Sequence, residues 1–165
     1  MGRRKERPPV ERVAEGFVLN IGQPECEVLG RLLDELRALL VGDSDHGALA
    51  RIFPPAYHLP SDAAADADYQ RWMREELVAS RLAGIATVEA ALAAGEPLDE
   101  AQIMAFMQAL NGIRLVLGTI LDVDEHTEID ALDADHPQLA EHHLYGFLSW
   151  LLDWTVRALG SPLPR

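Results

Sequence analysis

Two residues able to do chemistry lie inside the most apolar stretch of the chain. Residues 98–121, LDEAQIMAFMQALNGIRLVLGTIL, read as one helix, yet Asn111 and Arg114 interrupt it. Positions three and four apart share a helix face, so Met107, Asn111, Arg114 and Gly118 line up. A guanidinium beside a residue with no side chain predicts close approach by another segment that supplies an acceptor. Arg81 repeats the arrangement on a second helix, with Gly84 three residues on. A buried arginine needs hydrogen-bonded acceptors and usually a carboxylate. Glu75, Glu76, Glu89 and Asp153 are the candidates. Such a set reads first as an internal clamp that holds helices in register, and second as a ligand site.

Cys26 is the only cysteine, so an internal disulfide and a thiol-rich metal site are both excluded. It falls in the first turn of a predicted helix, where the dipole lowers a thiol pKa, but Glu25 and Glu27 flank it and oppose that effect. One reading is an inert, partly buried thiol. The other is a redox-responsive thiol that forms a mixed disulfide.

Asp122, Asp124, His126, Glu128, Asp130 and Asp133 fall at the odd-and-twelfth spacing of a calcium loop. Thr127, however, stands where the sharp turn wants glycine, and Asp133 where a bidentate glutamate belongs. Residues 122–136 hold no lysine or arginine and read as a solvated acidic linker, with a helical turn around Ile129 and Leu132 as an option. His126, His136, His142 and His143 lie in or near it. His142 and His143 are adjacent, so on a helix they point about 100° apart and grip one ion poorly. They read as surface histidines. There is no GxSxG elbow, no GxxxxGK[ST] or GxGxxG loop and no HExxH pair. No catalytic residue, metal or cofactor is expected.

These residues must be positioned by helices. After a basic tail over residues 1–9, VERVAEGFVLNI predicts a hairpin turning at Glu15-Gly16. Two strands alone are marginal, so the hairpin must lie on helices or pair with another chain. A helix should start near Gln23, with Pro24 in its first turn, and stop at Gly42; Val28, Leu29, Leu32, Leu33, Leu36, Leu39 and Leu40 recur at helical spacing. Ser44 or Asp45 can cap a short helix through Ile52. Phe53-Pro54-Pro55-Ala56-Tyr57 must be extended, with Phe53 and Tyr57 plugged into the core.

The longest helix should run from Ser61 or Asp62 to about Ala94, with Tyr69, Trp72, Met73, Leu77, Ile85, Val88 and Leu92 as its buried stripe. Gly84 weakens it by about 1 kcal/mol, which predicts a packing reason. Asp99 with Gln102 forms a capping box, and Leu98 can staple onto Ile103. The helix that follows should bury Ile103, Phe106, Met107, Leu110, Ile113, Leu117 and Ile120. Pro137 should open the last helix, which Gly160 and Pro162 end. The predicted fold is mainly α: four to five helices around one core with a small N-terminal hairpin. Residues 10–160 form the single domain, and 161–165 a tail.

With 165 residues the chain can bury roughly 70% of its unfolded surface in one core. Its net charge of −13 keeps it soluble and repels nucleic acid. Arg3, Arg4, Lys5 and Arg7 against Glu6 give the first seven residues +3, which leaves −16 for the rest. Such an end reads as a solvated terminus, or as an arm that grazes phosphates. No apolar run approaches twenty residues, so no membrane span is expected. Arg3-Arg4 leads no export signal and Gly2 no myristoylation signal, so the expected location is cytoplasmic.

RIFPPAY (51–57), YQRWMREELVASRLAGIATVEAAL (69–92), ALNGIRLVLGTIL (109–121) and YGFLSWLLDWTVRAL (145–159) resemble an actinobacterial family. It is catalogued as domain of unknown function number twenty-seventeen and also named the actinomycete oxidative-stress regulator (AosR-like) family. LNxxRLVLGT is the most specific block. The resemblance implies a cytoplasmic, non-enzymatic transcriptional regulator of redox homeostasis that acts by protein–protein contact with a sigma factor or RNA polymerase. With one cysteine, thiol sensing must use a mixed or intermolecular disulfide. The family's genomic company implies an alternative, a binding module of the ClpS/Clp proteolysis system. A third reading is a metal-dependent or hydrolytic enzyme built on the acidic, histidine-rich loop. A homodimer through the hairpin edge or Trp150 is a further expectation, and direct DNA contact is disfavoured by charge.

Overall fold

α3 (Glu100–Ile120) is the helix around which the others are arranged. In the computed structural model, which describes residues 7–42, 46–54, 61, 63–124 and 132–162, it packs against all three other long helices. These are α1 (Gln23–Gly42), α2 (Ala63–Ala94) and α4 (Leu139–Gly160). A hairpin of β1 (Val10–Val13) and β2 (Gly16–Leu19) precedes them, and a short 3₁₀ turn spans Gly47–Leu49. The mainly α bundle with a small N-terminal hairpin matches the expected class.

α3 starts where its sequence dictates. The Asp99 side chain accepts from the Gln102 backbone N–H at 2.8 Å, and Gln102 Oε1 accepts from the Asp99 N–H at 2.9 Å. Leu98 and Ile103, the predicted staple, are both buried. Leu98 has a second role that periodicity does not show. Its backbone pairs with Phe17 through hydrogen bonds of 2.9 and 2.7 Å, so the α2–α3 connection makes a single antiparallel bridge to β2. This is how the marginal hairpin is anchored. Gly16, with φ +136°, is required here, because a Cβ would overlap the Leu98 carbonyl.

The strands pair in register from Val10↔Leu19 to Val13↔Gly16. Arg12 ties them to the far end of the chain: its Nη1 donates to the carbonyls of Leu159 (3.3 Å) and Ser161 (2.8 Å) at the end of α4. Asn20 donates to the Pro8 and Pro9 carbonyls, so the last two residues of the basic tail are held.

The core joins Leu29, Leu33, Leu36 and Leu40 of α1 to Ile85 and Val88 of α2. It continues through Ile103, Phe106, Leu110 and Ile113 of α3 to Leu148 and Leu151 of α4. Phe53 plugs into it as expected; Tyr57 lies outside the described residues.

Five expectations are corrected. Tyr69, Trp72 and Leu77 are not buried: Trp72 lies about 140–160° round α2 from Ile85, Val88 and Leu92, and among the described residues of α2 none before Ile85 is buried. Ile120, at the end of α3, is 56% exposed. The short helix after α1 is only the 3₁₀ turn, capped by His46 Nδ1, which accepts from Ala48 N at 3.1 Å; Ser44 and Asp45 lie outside the described residues. α4 begins at Leu139 rather than at Pro137, which lies in the preceding turn. Finally, Arg71–Ala94 and α3 are each long and apolar enough, by length and composition, to cross a bilayer. α3 spends that apolar surface on the bundle core.

Candidate functional site

Arg114 of α3 meets its acceptors across the α3–α4 interface. Its Nη2 donates to Asn111 Oδ1 at 3.1 Å, one turn back. Its Nη1 donates to the Tyr145 hydroxyl at 3.2 Å, and the guanidinium carbon lies 5.8 Å from the centre of that ring. The buried Nε has no partner among the described residues. Gly118, one turn further along α3, is buried. A Cβ there would stand 3.0 Å from Tyr145 Cε2 and 3.1 Å from Arg51 Nη1. The predicted close approach therefore exists, and the approaching segments are α4 and the turn just after the 3₁₀ segment.

Arg51 is held in turn by the end of α3. Its Nη2 donates to the Val123 carbonyl at 2.9 Å. The chain reverses there: Asp122 takes φ +52°, Asp122 N bonds Thr119 O at 3.3 Å, and Val123 N bonds Gly118 O at 2.9 Å. This is a Schellman C-cap with aspartate where glycine is usual. The predicted set of Asn111, Arg114 and Gly118 is thus brought together, with Tyr145 and Arg51 added.

The expected carboxylates are not the acceptors. Glu89 instead pairs with Arg37 of α1, a hydrogen bond that raises the arginine pKa. Asp153 pairs with Arg157 at 2.8 Å, one turn along α4, and Glu75 and Glu76 face solvent. A neutral amide and a phenol serve Arg114 because α4 presents Tyr145, not an acid, at that level.

Arg81 is half-buried, and burial lowers its pKa. No carboxylate among the described residues lies within ion-pair distance of it. Its guanidinium is 6.0 Å from the ring centre of Phe53, which Arg74 approaches from 5.0 Å. It borders a cavity of about 20 Å³, the size of one water, whose wall also includes Leu36, Gly84, Ala105 and Gln108. Gly84 has no packing reason: a Cβ there meets nothing within 4 Å. The crowded glycine is Gly112, whose Cβ would be 3.3 Å from Leu36 Cδ2 and 3.8 Å from Arg81 Nη1. Arg81 and Arg114 therefore belong to two separate clusters.

Cys26 is partly exposed in the first turn of α1. Burial, then Glu25, then Glu27 push its thiol pKa up, so the flanking acids and desolvation outweigh the helix dipole. Beside it, the first turns of α1 and α4 enclose an open groove of about 380 Å³. Pro24, Val28, Leu144 and Phe147 give it an apolar floor, with Glu25 and His143 among its lining residues.

His142 corrects the surface-histidine reading. It is 5% exposed, its ring meets His136 edge-on at 5.5 Å between centroids, and its Nδ1 is buried without a partner among the described residues. Asp122, Asp124 and Asp133 of the calcium-like spacing are exposed, while His126, Glu128 and Asp130 lie outside the described residues. Among the described residues, no three His, Cys, Asp or Glu side chains gather as a metal site.

Sequence reasoning missed Tyr145 and Arg51. The available signal was Tyr145-Gly146, a polar ring next to glycine on an otherwise apolar helix, together with Gly118 on its neighbour. No curated protein and no solved structure matches the chain. A family model does, over residues 6–159, and on that match the chain belongs to the family described as a domain of unknown function (DUF2017).

Proposed function

We propose that this protein is a non-enzymatic regulator that acts by holding another protein in the groove between α1 and α4. The observation that carries the reading is that groove of about 380 Å³, floored by Pro24, Val28, Leu144 and Phe147. Trp150, 47% exposed, extends the apolar line by a turn, and its ring lies 6.0 Å from that of Phe147. An apolar groove with aromatic anchors suits the side chains of a partner helix or strand. The polar residues of α3 favour a clamp over a ligand site, since Arg114 is engaged by Asn111 and Tyr145.

The resemblance to oxidative-stress regulators supports a sigma factor or an RNA polymerase subunit as the partner. The net charge of −13 supports a basic partner surface over direct contact with DNA. The test is affinity capture of purified sigma factors and polymerase from the source cell by the full chain and by Phe147→Ala and Trp150→Ala. The expected result is capture by the natural chain, weakened about thirtyfold in the variants, as for an aromatic anchor. Capture of no transcription protein, or equal capture by all three chains, refutes the reading.

A further inference from the structure

Arg81 sits half-buried where α1, α2 and α3 meet, and among the described residues its side chain makes no hydrogen bond and no ion pair. A helical arginine can pair with an acid one turn away on its own helix. At those positions this chain has Leu77, Val78, Gly84 and Ile85. The facing helices bring no carboxylate either: Leu36, Ala105, Gln108 and Ala109 complete the wall of the cavity beside it. Phe53 compensates only in part, since a ring centre 6.0 Å away is at the outer limit of a cation–π contact. Arg74 lies 5.0 Å from the same ring, so two guanidiniums gather at one point of a chain whose net charge is −13.

The space beside Arg81 is kept open by glycine. Gly84 weakens its helix, and a Cβ there would meet nothing within 4 Å, so close packing does not account for it. What the missing side chain does is leave room, because Gly84 lines the cavity of about 20 Å³ one turn from Arg81. Gly112 of α3 lets the guanidinium come near, with Nη1 3.8 Å from where its Cβ would stand. The resulting slot has aliphatic walls and two polar groups, the guanidinium and the exposed amide of Gln108. Its depth admits one oxygen, about a water's worth, and is too small for a whole tetrahedral phosphate.

We propose that this slot binds a small aliphatic monocarboxylate. The planar fork of Arg81 donates to the carboxylate, one of whose oxygens enters the cavity, and the Gln108 amide donates from the mouth. The short alkyl chain lies over Gly84 and Ala105. A single negative charge is what one arginine can offset here, whereas a dianion meets twice the repulsion from the rest of an acidic chain.

The test is a titration of the full nitrogen-15-labelled chain with sodium butyrate, sodium phosphate and sodium chloride at matched ionic strength, which holds screening constant. Nuclear magnetic resonance follows the arginine Nε–H signals and the backbone amides. Butyrate should shift Arg81 Nε–H and the amides of Gly84 and Gln108 saturably, with half-saturation on the order of 1–10 mM. Binding should weaken about tenfold in Gly84→Ala, whose methyl fills part of the slot, and disappear in Arg81→Gln. Phosphate and chloride should move the same signals without saturation. Gly84→Ala keeps every polar group and adds a methyl in open space, so it carries the test even if Arg81→Gln fails to fold. Butyrate acting like chloride, phosphate saturating at the same or lower concentration, or butyrate binding unchanged by Gly84→Ala overturns the proposal. None of these results touches the α1–α4 groove, so the proposed function stands or falls separately.

Discussion

Gly84→Ala and Gly118→Ala make the same chemical change in two helices, and the structure gives them opposite signs. Glycine in a helix interior costs about 1 kcal/mol relative to alanine. At Gly84 the new methyl meets nothing within 4 Å, so the whole gain of about 1 kcal/mol should appear. In a chain of this size that raises Tm by about 2–4 °C. At Gly118 the same gain is opposed by contacts of 3.0 Å with Tyr145 Cε2 and 3.1 Å with Arg51 Nη1. Neither neighbour is free to retreat: the Tyr145 hydroxyl accepts from Arg114, and Arg51 donates to the Val123 carbonyl. Overpacking of this kind costs about 1–3 kcal/mol, so Gly118→Ala should lose about 1 kcal/mol net. The two variants should then differ by about 2 kcal/mol, or about 4–8 °C. Urea and thermal unfolding followed by circular dichroism measure this directly. In an Arg51→Ala background the Gly118→Ala penalty should shrink, since one of the two obstructions is gone. If Gly118→Ala stabilises the protein as much as Gly84→Ala does, the convergence of α4 and Arg51 on α3 is wrong.

Asp122→Gly should raise stability by about 1 kcal/mol, seen as a higher urea midpoint, because glycine adopts φ +52° without strain. Arg12→Ala should cost about 1–2 kcal/mol through loss of its bonds to the Leu159 and Ser161 carbonyls. Amide hydrogen exchange should speed up at both the hairpin and the end of α4; a change at only one would break the proposed link. Since the Cys26 thiol pKa is raised, thiolate is scarce at neutral pH. Alkylation by iodoacetamide should be slower in the folded chain than in the unfolded one, and should still be rising above about pH 8.5, where an ordinary thiol is half ionised. A folded-state rate already at its plateau there would contradict the assigned environment.

Local rules carried the starts of α1 and α3 but not that of α4. The capping box at Asp99 and Gln102, Pro24 in the first turn of α1 and the turn before Gly16 involve residues a few positions apart, and the chain obeys each one. Helical periodicity also identified the core residues of α1 and of most of α3, because their apolar stripes meet other helices along nearly their whole length. On α2 the same inference failed at Tyr69, Trp72 and Leu77. Trp72 and Tyr69 do not share the face of Ile85, Val88 and Leu92, so spacing already set them apart, whereas Leu77 does share it and no other element among the described residues covers it.

The candidate site divides in the same way. Asn111, Arg114 and Gly118 were legible as a set, because their spacing alone fixes a common face. Their partners were not. Tyr145 is brought in by α4 and Arg51 by the turn just after the 3₁₀ segment, 31 residues after Arg114 and 72 before Val123 respectively. Nothing in local spacing chooses between a phenol there and the carboxylates first expected. Only the packing of α4 on α3 decided that Arg114 would be clamped by neutral groups. Only the length of α2 relative to its neighbours decided that Leu77, on the same face as Val88, would be left uncovered. Both outcomes depend on distances between elements, which an amino-acid sequence encodes only through the complete fold.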